Sequence, residues 1–207
     1  MPPDSLSLDD QPDAAAAPAS NSAALAALAA AATWSYRPGH PSAAEPAAWT
    51  AISLAGHGRI DAAANAADWL ARLQQKSGAV GVSAEDDGPR WCTAVAMLAW
   101  LAVDAGGRSP RYAAAIERAA TWALQDRGKT AARDPNVGHD TMLVGWSWAA
   151  DTHSWLEPTC LFVLALCAAG HGDHPRVREG LRLVADRLLS EGGANFGNTT
   201  VLGQTLL

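Results

Sequence analysis

The sequence of 207 residues is poor in several residue types. It holds only two lysines, Lys76 and Lys129, with two tyrosines and two phenylalanines. So little lysine leaves no polybasic stretch to hold the chain on an anionic membrane surface. Charged residues make up only 17%, and their balance is acidic at −6. That argues against nucleic acid as the main partner, because a phosphate backbone calls for a basic surface. Cysteine is limited to Cys92, Cys160 and Cys167, an odd number without a Cys-x-x-Cys pair. A disulfide framework is therefore not expected, and a reducing, cytoplasmic setting is. No apolar run reaches the length of a transmembrane helix. The first cation is Arg37, so Ala23–Ala32 lacks the basic flank of a secretory signal. The glycine-rich dinucleotide and Walker loops, Gly-x-Ser-x-Gly and His-Glu-x-x-His are all missing. No segment alternates with period two, so no sheet is expected.

What remains is a chain that is 49% hydrophobic and carries nine tryptophans, enough apolar material for one sizeable core. Residues 1–21 are Pro, Ser, Asp and Ala with almost nothing large, and read as a disordered tail. From Ser22 two kinds of helical segment alternate. Ala44–Ala55, Trp91–Ala105 and Leu156–Ala169 are apolar nearly all round and read as core helices surrounded by protein. Ile60–Gln75, Arg111–Gln125 and Val177–Ser190 follow them and are amphipathic. In the last, Val177, Leu181, Val184 and Leu188 form the apolar stripe, and Arg176 falls away from it. Links containing Gly join each pair, as Gly suits a helix C-terminus. Ser22–Ala32 is left as an outer helix before the first pair. The fold class is therefore all-α, with three inner and outer helix pairs.

The segments repeat. Trp34-Ser35-Tyr36 and Glu45-Pro46 recur, 112 residues on, as Trp146-Ser147-Trp148 and Glu157-Pro158, with Ser42 and Ser154 in register. A weaker copy runs from Val80 to Trp91-Cys92-Thr93. Fixed-period self-similarity is the mark of a repeat architecture. Ser42-x-x-Glu45 and Ser154-x-x-Glu157 fit a capping box, with Pro in the first helical turn. On that reading Glu45 and Glu157 are structural.

Trp69-Leu70-x-x-x-Gln74-x-x-x-Gly78 resembles the QW repeat of squalene–hopene and oxidosqualene cyclases, with Val80 where that repeat ends in Trp. Gly145–Thr159 and Gly192–Asn198 are similar to segments of bacterial prenyltransferase and squalene-oxidase repeat proteins. The resemblance implies an α/α toroid around an apolar cavity, here about three of six helix pairs, over residues 22–207. It implies that Trp34, Tyr36, Glu45, Pro46, Trp69, Gln74, Gly78, Glu157 and Pro158 are structural repeat residues. It also implies that Trp69, Gln74 and Gly78 staple outer helices together, and that an isoprenoid or other apolar small molecule is the partner. After the repeat aromatic Phe196, the sequence given stops at Leu207, where another inner helix is expected. The expectation is a fragment of a longer enzyme or a half-ring that closes as a homodimer.

The catalytic signatures of that family are not matched. Ala84-Glu85-Asp86-Asp87 has Ala where the cyclase Asp-x-Asp-Asp begins, and reads as a solvated loop. Asp151, His153 and Cys160 are zinc-ligand types out of context, and Cys160 and Cys167 read as small buried thiols. No metal and no cofactor is therefore expected, and whether the chain is an enzyme stays open. The longest loop, Arg127–Trp155, holds the weak catalytic candidates His139, Asp140, Asp151 and His153. Trp146, Trp148 and Trp155 are candidates to line a ligand cavity, with stapling between helices as the alternative. A non-catalytic helical scaffold that binds a partner protein is the other functional reading.

Overall fold

A computed structural model describes residues 17–86, 88–134, 137–189 and 193–194. Among them the chain is all-helical, with seven helices and no strand. They are α1 (Ala17–Ala30), α2 (Ala44–Gly56), α3 (Ile60–Leu73), α4 (Cys92–Gly106), α5 (Ala113–Gln125), α6 (Leu156–Ala168) and α7 (Pro175–Arg187). α1 begins five residues before the expected Ser22, inside the segment read as a disordered tail. Alanine, the best helix former, supplies the difference. Residues 1–16 of that expected tail, and most of Gly192–Asn198, lie outside the described residues.

α4 lies between α2 and α6, with α3 and α5 also against it. That surrounding explains why α4 is apolar on every face: Val95, Met97 and Trp100 are fully buried. α3 packs on α2 and α4, and α7 packs on α6. α2 and α6 are less enclosed than expected. Trp49 is 42% exposed, and Cys167 is exposed at the end of α6 while Cys92 and Cys160 are buried. Alanine dominates where α2, α3 and α4 meet: Ala47, Ala51, Ala63, Ala67, Ala96 and Ala99 have no exposed surface. Small side chains bring these backbones close, and the apolar bulk is supplied by Trp100 within α4, by Leu54 and Leu70, and by Trp34 from the turn before α2.

The turns repeat as the helices do. The chain pairs Gln74 with Val80 after α3 and Leu188 with Ala194 after α7 as antiparallel bridges. The Val80 N–H donates to Thr93 Oγ1 at 2.8 Å, and the Trp146 N–H donates to Thr159 Oγ1 at 3.0 Å. Each threonine stands 13 residues after its partner and is fully buried in the first turn of the next helix, α4 or α6. In the earliest copy Ala47 occupies that place, and the Trp34 N–H donates instead to Ser42 Oγ at 3.1 Å.

Both expected capping boxes are absent. α2 is preceded by Ala43 and α6 by Trp155, and neither helix has a side-chain cap. The serines sit one residue too early and tie turns instead: Ser42 takes the Trp34 N–H, and Ser154 takes the Gly145 N–H at 2.8 Å. Glu45 accepts from the Tyr36 hydroxyl and, at 3.4 Å, from the Trp49 indole. Pro46 and Pro158 do lie in the first turns of α2 and α6. α7 is the helix with a side-chain cap: His174 Nδ1 accepts from the Arg176 N–H at 3.1 Å, and Pro175 occupies the first position.

Gln74 fastens α3 to α5. Its Nε2 donates to the Gly78 carbonyl at 3.0 Å and to the Ala115 carbonyl at 2.9 Å, and its Oε1 accepts from Arg118. Gly78 has φ +99°, and a Cβ there would run into the Arg118 carbonyl, so only glycine suits the position. Trp69 packs against Trp34, their rings 6.0 Å apart.

Thr93→Val and Thr159→Val each strand a buried backbone N–H while keeping side-chain volume. Each is expected to cost about 1–3 kcal/mol in a urea melt, with similar losses for the two. A wild-type midpoint for either variant would show that these threonines do not hold the turns.

Candidate functional site

The connection from α5 to α6, residues 126–155, is longer than the one that joins α3 to α4, residues 74–91. Its two ends are drawn together: the Gly128 N–H donates to the Gly145 carbonyl at 3.0 Å, and the Trp155 N–H to the Trp146 carbonyl at 3.0 Å. A loop this long has many backbone carbonyls to satisfy. Arg176, at the start of α7, satisfies three of them. Its guanidinium donates to the carbonyls of Asp126 at 3.1 Å, Gly145 at 2.7 Å and Val144 at 3.3 Å. It also lies over the Trp146 ring, 3.6 Å from the centroid. Burial lowers the Arg176 pKa to about 10, so the side chain remains cationic at neutral pH.

This places α7 differently from the expected stripe. Arg176, Val177, Gly180, Leu183 and Arg187 are buried, whereas Leu181 and Leu188 are 47% and 48% exposed. The helix is turned so that both arginines meet the loop. Gly180 allows the approach, because a Cβ there would lie 2.7 Å from the Trp146 ring.

Trp146 is consequently not a cavity residue. It has no exposed surface, stacks on Phe162 at 5.2 Å, and donates from Nε1 to the Ala123 carbonyl at 2.9 Å. It is a core staple, held down because the repeat aims this turn position at the core. Trp148 is half-buried, edge-on to Trp91 at 4.8 Å. Trp155 is 40% exposed and faces a hollow under the loop.

That hollow has a volume of about 350 Å³. Val137, Leu143 and Trp155 give it an apolar lining, and Lys129, His139, His153 and Arg187 add nitrogen donors. A shallower depression of about 570 Å³ adjoins it, lined by Trp148 and Asp151 and sharing Lys129, His153 and Trp155. The four polar candidates are thus divided. His139 and His153 line the hollow, His153 with its ring 4.6 Å from Trp155. Asp140 anchors the loop, its N–H donating to Asp186 at 3.1 Å and its carboxylate accepting from the Met142 N–H at 2.9 Å. Asp151 is 85% exposed at the rim, 3.3 Å from the Lys129 ammonium and with φ 62°.

Among the described residues no three His, Cys, Asp or Glu side chains gather to hold a metal ion. Cys160 lies in buried α6, where burial and then the Glu157 carboxylate push its thiol up to about 11; burial and then Glu45 push Cys92 up to about 12. Neither offers a thiolate at neutral pH. Glu85 and Asp86 are exposed in their loop, and Asp87 lies outside the described residues.

Lys129, Arg176 and Arg187 were not among the residues the sequence singled out. Arg176, Gly180, Leu183 and Arg187 follow one helical face, and that alternative stripe is the signal that could have found the arginines. Lys129 carries only its rarity as a signal. No family model matches the chain, and no curated protein matches it either.

Two predictions follow from this packing. Arg176→Leu takes the guanidinium donors from the part-buried carbonyls of Asp126 and Val144, leaving Gly145 with the Gly128 N–H, and is expected to cost about 2 kcal/mol or more in a urea melt. Retention of wild-type stability would show that the loop closes without the guanidinium. His139 has its pKa lowered from 6.5 by partial burial and then by Arg187, with Asp186 and Asp140 pulling up and His153 down. The unfolded chain therefore binds the proton more readily. Stability associated with His139 is full above pH 6.5 and falls as pH drops toward the folded-state value. The Tm should decrease between pH 7 and pH 5, and His139→Gln should flatten that decrease. An unchanged slope in the variant would rule out His139 as its source.

Proposed function

We propose that the chain is a helical-repeat protein of the squalene-cyclase and prenyltransferase-repeat type that binds an isoprenoid or other apolar small molecule. On this reading α2, α4 and α6 are inner helices and α3, α5 and α7 outer helices of part of an α/α toroid. Three observations support the architecture: the alternating helix order, the paired Thr93 and Thr159 ties, and the Gln74 clasp between α3 and α5. The observation that carries the binding function is the hollow under the α5–α6 connection, where Val137, Leu143 and Trp155 present apolar surface. A cytoplasmic location accords with three cysteines that are all free thiols.

A second reading is a non-catalytic scaffold that binds a partner protein or a second copy of this chain. Trp49, Leu181 and Leu188, all more than 40% exposed, favour it.

Short isoprenoid alcohols such as geraniol and farnesol test the first reading. At a hundredfold excess over Kd a ligand adds about 2.7 kcal/mol, which raises the Tm of a chain of this size by about 5–10 °C. Val137→Trp, which fills the hollow, should remove the shift. A cooperatively folded sample whose Tm no isoprenoid or other apolar small molecule moves would refute the reading.

A further inference from the structure

The charges around the hollow are one-sided. Its lining contains Lys129 and Arg187 and the imidazoles of His139 and His153, and among the described residues no carboxylate. The nearby acids lie behind these groups: Asp151 beside Lys129 at the rim, Asp186 and Asp140 on the loop and α7 side of Arg187. Asp186 pairs with Arg187, and none of the three is among the residues lining the hollow. The Lys129–Asp151 pair is 61% and 85% exposed, and an exposed pair of this kind is weak. The ammonium can therefore turn toward an anion at little cost. Arg187 is 7% exposed and its guanidinium carries five N–H donors, of which Asp186 and the Asp140 carbonyl engage two.

The size of the hollow itself bears on the part of a ligand that it encloses. At about 30 Å³ per heavy atom, a liquid-like density, 350 Å³ holds on the order of a dozen heavy atoms. A triterpene-sized chain would need on the order of 900 Å³ at that density. A short apolar body with one polar end suits the space.

We propose that the hollow under the α5–α6 connection binds a small amphiphilic carboxylate of about a dozen heavy atoms. Its carboxylate meets Lys129, His153 and Arg187, and its apolar body lies against Val137, Leu143 and Trp155. Donor-bearing and apolar side chains line the same hollow, with His153 beside Trp155, so a ligand with one anionic end and an apolar body can meet both kinds of group. Charge-assisted hydrogen bonds in a partly desolvated site are the stronger kind, and a neutral ligand of the same length forgoes them. This assignment rests on the reading of the hollow as the apolar binding site.

Octanoate and 1-octanol share an apolar chain and differ at the polar end. Their binding to the full chain is measured by calorimetry and thermal shift, alongside a Lys129→Gln/His153→Gln double variant and Val137→Trp. Octanoate is expected to bind about tenfold more tightly than 1-octanol. The double variant should remove most of that advantage, bringing the ratio of octanoate to 1-octanol affinity close to one. Val137→Trp should abolish both. Equal affinities for the two ligands, or an octanoate affinity untouched by the double variant, would overturn the carboxylate assignment and leave the apolar-site reading in place. Binding that survives Val137→Trp would place the ligand elsewhere and overturn the assignment as well. Absence of binding by both ligands to a protein that melts cooperatively would overturn the assignment and the apolar-site reading together.

Discussion

A guanidinium with almost no exposed surface is costly to bury, and Arg176 is retained at the start of α7 because of what it meets there. The carbonyls of Asp126, Val144 and Gly145 converge where the long α5–α6 connection leaves and re-enters the helical stack. Without donors these groups would be desolvated and unpaired, which costs more than an ordinary hydrogen bond supplies. Arg176 offers a planar fork that reaches all three, with the Trp146 ring beneath it and Glu179 3.7 Å away on the same helix. Asp126 is itself partly buried, and burial raises its pKa against the opposing pull of Arg176. The loop, α7 and the underside of Trp146 are thereby one unit, and the hollow exists because that unit holds its walls apart.

The equivalent junction after α3 has a cheaper solution. There the connection is shorter, and one neutral side chain, Gln74, spans from its start to the first turn of α5. The direction is reversed in the next repeat. The link is supplied by the following outer helix, and a longer, charged side chain is needed because the long connection brings extra carbonyls to the junction. Thr93 and Thr159 hold the same turn position in both repeats, so the difference is confined to the residues that the longer connection adds.

Helix number, order and type were legible in the sequence because they depend on period and composition. An all-apolar segment such as Trp91–Ala105 has to be enclosed, and α4 is. Helix boundaries agreed closely wherever a Gly-containing link or an apolar edge marks them. Three details were not legible, for one shared reason. Ser42 and Ser154 match the capping box, but the local motif cannot show that a turn N–H eight or nine residues earlier competes for the same hydroxyl. Leu181 and Leu188 look like core residues, but carbonyls fifty positions or so away draw Arg176 and Arg187 inward in their place. Trp146 and Trp155 look alike in sequence, yet one lies over Phe162 in the core and the other faces the hollow. Each outcome is settled by backbone groups distant in sequence, which no local pattern contains.

That dependence also explains why the candidate site belongs to the connection and not to the interfaces between inner helices. Where α2 meets α3 and α4, alanines set the spacing, and a contact built from methyl groups leaves little volume to fill. Enlarging it would mean separating α2 and α3 from α4, whose first turn Thr93 ties to the preceding turn. The connection is under no such restraint along most of its length. It must meet the stack only at its two ends and at Asp186 and Arg187, where Asp140 is held. Between those attachments its side chains are free to define a space of their own. The regular helices thus supply rigidity and Arg187, and the irregular connection supplies the apolar lining together with Lys129, His139 and His153.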